Sequence, residues 1–316
     1  MALIHVVVDY SFLYYKYKFQ LESGRMKRLT TPMNWKGTVI EKDISQVYYS
    51  IKEIEGFRRK WEQIGHDVFV SVCFDMPSDR KQKTDESGEA ATKYKSNRTK
   101  KLNEDDFENI QFVERLLSQA GYNTYRFERY EADDIVAHLV NKYKDTFDVT
   151  LVYTPDADML VHVQPKVGVC RYKTKRGYSN VDVSNFEDYI SEEMKCYIPF
   201  NGLMLYKCTV GDKSDCIDGI KKFGPSAFTK LVEHLNENYG IVWSMMNKYG
   251  NVEITLEQLR DDGYFTEEQF KQAQESLSLV RPMQFEDGVV ADPIKHSTRE
   301  LRSAAYSPYN MNSLID

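Results

Sequence analysis

Nine acidic residues fall in five short groups: Asp9; Asp75; Glu131, Asp133 and Asp134; Asp156 and Asp158; Asp212 and Asp215. Their spacing makes them chemical candidates. Glu131 and Asp134 stand i, i+3 at a predicted helix start, as do Asp212 and Asp215, so each pair shares a face. Asp156 and Asp158, two apart in a turn, can point the same way. Acidic residues at helix starts also serve as plain caps and dipole partners, and any single group has that ordinary reading. Gathered in one cleft, nine carboxylates repel one another at a cost that cations must offset. Oxygen donors with no His or Cys beside them in sequence suit Mg²⁺ or Mn²⁺ rather than zinc.

The elements that must position these groups read as alternating strands and helices. Residues 3–8 are a continuous apolar run, a buried strand that Asp9 ends. Val47, Ile51, Ile54, Phe57, Trp61 and Ile64 keep helical spacing, with Gly65 as C-cap. Residues 68–74 form a second strand closed by Asp75. Phe107, Ile110, Val113 and Leu117 mark a helix ending near Gly121, and residues 122–127 a short strand. Glu131 opens a helix reaching about Lys144, and the strand at 149–153 runs into Thr154-Pro155-Asp156-Ala157-Asp158. Such alternation predicts a parallel α/β sheet, whose ligands bind beyond the carboxyl ends of the strands. Asp9, Asp75 and Asp156 each follow a strand, which places them on one rim. From Val183 the pattern turns helical, so an α/β domain over 1–183 and a helical subdomain over 184–316 are expected. The polar tail after Ala291 reads as disordered or as a contact for a partner.

The 316 residues carry a net charge of −6, but its distribution matters more. Arg80, Lys81, Lys83, Lys93, Lys95, Arg98, Lys100 and Lys101 crowd one stretch, and Arg171, Lys173, Lys175 and Arg176 another. A basic ridge beside an acidic pocket suits a polyanion that meets metal ions. Residues 77–103 hold few apolar side chains and read as a functional loop or a helical element ordered by substrate. Lys95 and Arg98, i, i+3, would share a face there. Gly219 and Gly224, in Asp218-Gly219-Ile220-Lys221-Lys222-Phe223-Gly224, permit a tight hairpin with outward backbone N–H groups. Five cysteines without any CxxC pair argue for reduced thiols, and no run approaches the ~20 apolar residues of a membrane helix. A cytoplasmic protein is expected.

The ordered segments "VVVDYSFLYY", "VCFD", "TKYKSNR", "YEADDIVAHLV", "VYTPDADMLVHV" and "TVGDKSDCIDGIKKFGPSAF" resemble the flap-endonuclease/5′–3′ exonuclease family. They are similar in particular to its stand-alone phage enzymes and to the nuclease domain of bacterial DNA polymerase I. The resemblance implies a PIN-like, Rossmann-like parallel sheet flanked by helices. It adds an arch over about 77–103 and a helix–hairpin–helix of the H3TH kind at about 205–236 in the helical subdomain. It also implies a phosphodiesterase using two Mg²⁺ ions, with Mn²⁺ as substitute, that leaves 5′-phosphates. Asp75, Glu131, Asp133, Asp156 and Asp158 would be the nearer ligands; Asp9, Asp134, Asp212 and Asp215 would complete or support them. Paired ions make an attacking water acidic and stabilise both attacking and leaving oxygens.

By the same resemblance Lys95 and Arg98 contact the scissile phosphate, while Tyr94, beside Lys93, stacks on a base. Gly219, Lys221, Lys222, Gly224 and Ser226 would grip duplex phosphates, with K⁺ in the hairpin. The implied substrates are DNA with 5′ flaps, nicks or single-stranded ends, and RNA–DNA hybrids during primer removal. A polymerase or single-strand-binding protein would be a partner of a monomeric enzyme. Two departures stand out. Tyr10 replaces the family's Gly after the first Asp, altering substrate approach to Asp9, and Cys216-Ile217-Asp218-Gly219 replaces Asn-Ile-Pro-Gly, setting an acid beside the expected phosphate. The competing readings are a PIN-like ribonuclease acting on RNA alone and a non-catalytic DNA-junction binder. The hairpin opposes the first and the full set of nine carboxylates the second.

Overall fold

The central strand β1 (Leu3–Asp9) turns Val7 to one face and Ile4, Val6 and Val8 to the other, and all four are buried. A strand apolar on both sides needs cover on both. In the computed structural model, which describes residues 1–35, 38–76, 95, 102–240, 250–285 and 294–316, each face has its own apolar core. After β1 and a separate antiparallel hairpin, β2 (Thr30–Trp35) and β3 (Thr38–Asp43), come β4 (Asp67–Cys73), β5 (Asn123–Tyr125), β6 (Val149–Thr154), β7 (Val167–Lys173) and β8 (Gly177–Val181). The main sheet runs β5-β4-β1-β6-β7-β8, parallel except for β8. Asp9 pairs with Cys73 and Val8 with Tyr153, so β1, β4 and β6 end level.

Helices α1 (Tyr10–Glu22), α2 (Ser45–Glu62) and α3 (Glu104–Gln119) cover the Val6 face. Helix α4 (Ala132–Tyr143) covers the other. The core under α4 continues without a break into α5 (Phe186–Met194), α6 (Leu203–Val210), α7 (Pro225–Tyr239), α8 (Gly250–Asp261) and α9 (Glu267–Val280). Several features escape the sequence reading, β8 among them. Helix α1 buries Tyr10, Phe12, Leu13, Tyr14, Tyr17 and Leu21, an arc too wide to show as an apolar stripe. The β2–β3 hairpin is short and exposed along β3, and β7 carries Gly168 in its interior.

The tail corrects an expectation. Over 294–316 it is folded onto the rest of the chain, not disordered. It returns across the sheet edge and forms α10 (Arg299–Tyr306). Asn123 and the backbone of Lys295 exchange two hydrogen bonds, at 2.8 and 3.1 Å. Tyr306, Met311 and Leu314 are buried in the core of the Val6 face. The tail reads as polar because these anchors are few and widely spaced. Its deepest tie is to Glu55, fully buried on α2, whose Oε1 accepts from Tyr306 (2.9 Å) and Tyr122 (2.8 Å) while Arg58 bonds Oε2 at 2.9 Å. A buried carboxylate costs much unless hydrogen-bonded and paired, and here both conditions are met. Tyr306→Phe is expected to cost about 1.5–3 kcal/mol in urea unfolding, the range for hydrogen bonds to a charged group. A loss below about 0.5 kcal/mol, the size of a surface change, would contradict this anchoring.

Candidate metal centre

The level ends of β1, β4 and β6 bring Asp9, Asp75 and Asp156 to one rim, and the first turn of α4 adds Asp133. Their mutual influence is plain in their acidities. Burial first, then the charges of Asp75 and Asp156, push Asp9 up to about 7. Asp133 is raised well above the usual range by burial; Lys95 opposes the rise, and Asp156, Asp9 and Asp75 add to it. Burial and the charges of Asp9, Asp133 and Asp75 likewise push up the Cys73 thiol beneath them, which keeps it protonated and a poor ligand.

Neighbouring residues fix the orientation of each acid. Asp9 caps α1 through Ser11 N–H (3.1 Å) and accepts from Thr154 Oγ1 (3.2 Å). Asp75 accepts from Ala132 N–H (2.7 Å) and from the Ser11 hydroxyl. Asp156 accepts from Asp158 N–H at 2.9 Å, which fixes the turn carrying both.

Two lysines reach into this group. Lys95 is buried; its Nζ lies 3.0 Å from Glu131, 3.8 Å from Asp215 and 4.0 Å from Asp133. Its backbone N–H donates to the Asp215 carbonyl at 2.9 Å. Lys207, on α6, donates to Asp158 and, at 2.6 Å, to Asp212. Burial raises Asp158, and Lys207 opposes the rise; the charges of Asp156 and Asp212 add to it, giving about 7. At Asp212 burial also acts against the charged form, but Lys207 and Ser214 overcome it and lower the pKa. Lys207 is a residue of this cluster that the sequence reading missed. Its signal was a lone lysine in the apolar helix Leu203–Val210, five residues before Asp212. Ser11 and Thr154 were missed as well.

Several expectations need correcting. Asp134 is wholly buried and accepts from Glu131 N–H at Oδ2 (3.0 Å) and from Met283 N–H at Oδ1 (2.7 Å), so of the two parts expected of it, completing or supporting the set, these bonds serve the second. Asp212 and Asp215 do not start a helix. They lie in a turn closed by reciprocal 2.8 Å bonds between Asp212 and Ile217, because the Asp212 side chain bonds Ser214 N–H and favours a turn. Tyr10 does not crowd the cleft: it turns into the core against Phe74, ring centroids 4.7 Å apart. Nor do the hairpin amides all face outward, since Ile220 N–H bonds Thr209, Lys221 N–H bonds Gln272 and Phe223 N–H bonds Ile220. Gly219 is needed there, with φ +65° and the Gly211 nitrogen 2.4 Å from where a Cβ would sit; Gly224 has ordinary φ and open space. Lys221, Lys222 and Ser226 are exposed together. Lys93, Tyr94 and Arg98, with most of the basic stretch at 77–103, lie outside the described residues.

As placed, no three His, Cys, Asp or Glu side chains among the described residues surround a common point. The two ammonium groups stand between the acids instead. The donor set itself, all carboxylate oxygen and short of positive charge, fits hard divalent cations.

Known proteins give this geometry a family. The model of the 5′–3′ exonuclease N-terminal, resolvase-like domain matches residues 5–191, and the chain belongs to the 5′–3′ exonuclease family, a family of hydrolases. It is 28% identical over 198 residues to DNA polymerase I of Caldicellulosiruptor bescii, covering 63% of this chain and 22% of that one. It spans about a fifth of the length of the DNA polymerase I relatives it matches. A 5′–3′ exonuclease of Aquifex aeolicus is 23% identical over 225 residues, 68% of this chain and 71% of that one. In fold the chain resembles T5 5′-exonuclease, solved with divalent metal ions (zinc) bound: TM-score 0.53, 16% identity, 88% of this chain and 86% of that one.

The raised acidities have a testable consequence. Asp9 and Asp158 hold protons in the folded state that an unfolded carboxylate releases near pH 4, so their contribution to stability is lost as pH rises towards about 7. His5, buried and lowered to about 3, contributes the opposite slope, so a difference measurement is needed. The gap in Tm between Mg²⁺ and EDTA samples is expected to widen from about pH 5 to about pH 8, because cations relieve the repulsion only once the acids ionise. A constant gap would contradict the crowding.

Proposed function

We propose that this protein is a structure-selective 5′-nuclease that hydrolyses phosphodiesters at flaps, nicks or single-stranded ends, leaving 5′-phosphates. The observation that carries the reading is the meeting of acids from distant segments, Asp9, Asp75, Asp133 and Asp156, at the carboxyl rim of a parallel sheet. Asp75, Glu131, Asp133, Asp156 and Asp158 would hold two Mg²⁺ ions, with Asp9, Asp212 and Asp215 completing the set. Divalent ions there supply an acidified water and positive charge for the leaving oxygen. The chain's own residues do the rest. Asp134, Ser11 and Thr154 keep the acids aimed, and the Lys95 ammonium, beside Glu131, would meet the scissile phosphate. Exposed Lys221, Lys222 and Ser226 would hold the duplex backbone without reading sequence. An α/β nuclease domain over 1–183, an arch over 77–103 and a helix–hairpin–helix at 205–236 complete this reading.

Purified protein with Mg²⁺ is expected to cut a 5′-labelled flap, a nicked duplex or an RNA–DNA hybrid. Cleavage of none of them, in Mg²⁺ or Mn²⁺, would overturn the proposal, and a preference for free RNA would favour a ribonuclease. Asp156→Asn is expected to lower cleavage by about 100-fold or more, beyond the usual effect of residues that only support a ligand. Flap binding in Ca²⁺ should stay near wild type, and full activity would remove Asp156 from the site. Replacing Lys221 and Lys222 with Ala should weaken duplex binding for all sequences alike and reduce the log–log salt slope by about 1.8, at about 0.9 per phosphate contact. An unchanged slope would place the duplex elsewhere.

A further inference from the structure

The two lysines among the carboxylates carry a consequence beyond substrate contact. Lys95 has its ammonium among Glu131, Asp133 and Asp215, and its side chain is 3% exposed. Its backbone has φ +53°, uncommon for a residue other than glycine. Lys207 holds Asp158 and Asp212 together, its side chain 5% exposed. Eight of the acids thus act on one another or on a lysine around the same rim: Asp9, Asp75, Asp133 and Asp156 by mutual repulsion, and Glu131, Asp158, Asp212 and Asp215 through the ammonium groups.

We infer that Lys95 and Lys207 are tethered counter-ions, competing with divalent cations for the same carboxylate oxygens and so setting the metal concentration at which the site fills. The inference rests on the cluster being a metal centre. Buried like charges need cations at all times, whether or not a divalent ion is bound. A lysine ammonium offers one charge at hydrogen-bond distance, whereas Mg²⁺ offers two at about 2.1 Å from its ligands. Two cations crowded onto the same carboxylates repel each other. The ammonium must withdraw, and the flexible four-carbon stem of lysine allows it.

The sign of the effect separates competition from support. A lysine that merely holds ligands in place would, once neutralised, leave the site weaker for metal. A competitor would leave it stronger. Mn²⁺ binding to the full chain, without nucleic acid, can be followed by calorimetry in wild type, Lys95→Met, Lys207→Met, Lys95→Arg and, as a control for general charge, Lys221→Met. Each central Met variant is expected to bind Mn²⁺ about tenfold more tightly, a usual size for a coupling of this kind. Lys95→Arg, which keeps the cation, should stay close to wild type, and Lys221→Met should not differ from it. In EDTA the two central Met variants should melt below wild type, with the difference closing at saturating Mn²⁺. Unchanged or weaker binding in the central Met variants, with wild type binding normally, overturns the competition alone. Failure of wild type to bind Mn²⁺ overturns the metal-centre reading and this inference with it. Should Lys207→Met not fold, Lys95→Met carries the test by itself.

Discussion

Repulsion among carboxylates confined to one rim is the constraint on which the rest of this structure depends. Asp9, Asp133 and Asp158 sit where burial and neighbouring acids oppose ionisation. A fold selected only for stability would place apolar residues there, because buried charges seldom contribute net stability. Here the strands β1, β4 and β6 end level and each delivers an acid at or just beyond its carboxyl end. The stability for this arrangement comes from elsewhere, from two continuous apolar cores and from helices on both faces of the sheet.

The acids are also held individually. Hydroxyls of Ser11 and Thr154 and backbone amides at Ser11, Ala132 and Asp158 bond to them, and each such contact favours the charged form locally against the burial that opposes it. Lysines supply what amides cannot, a full positive charge. The site is therefore oriented by dipoles and partly neutralised by two ammonium groups, two functions carried by different residues.

Most of the sheet and its acids could be read from the sequence because period and position coincide. Apolar runs at 3–8, 68–74 and 149–153 ended in or just before acids, and parallel topology turned those endings into a single rim. What escaped reading depended on contacts between distant segments. Lys207 resembles any polar interruption of an apolar helix until Asp158, 49 residues earlier, is placed beside it. Asp134 reads in Glu-Ala-Asp-Asp as completing or supporting the ligand set, and its bond to the Met283 amide, 149 residues later, lies beyond local pattern. The tail looked polar because its anchor, Glu55, lies 251 residues before Tyr306. Local pattern carries element type well, whereas the partner of a buried polar group is a long-range fact.

The same long-range ties explain why the candidate site cannot belong to the sheet alone. Asp212 and Asp215 come from the turn after α6, and Lys207 from α6 itself, so the chain beyond residue 200 contributes charge of both signs. Met283 reaches back from the end of α9 to Asp134. One continuous core joins α4 to α6, α7 and α9, and close packing transmits small displacements between them. A shift of α6 relative to the sheet would separate Lys207 from Asp158 and leave an acid without its counter-charge, a state more costly than either the paired or the fully solvated one. The electrostatics of the rim therefore select the relative position of sheet and helices, just as the packing of sheet and helices creates the rim.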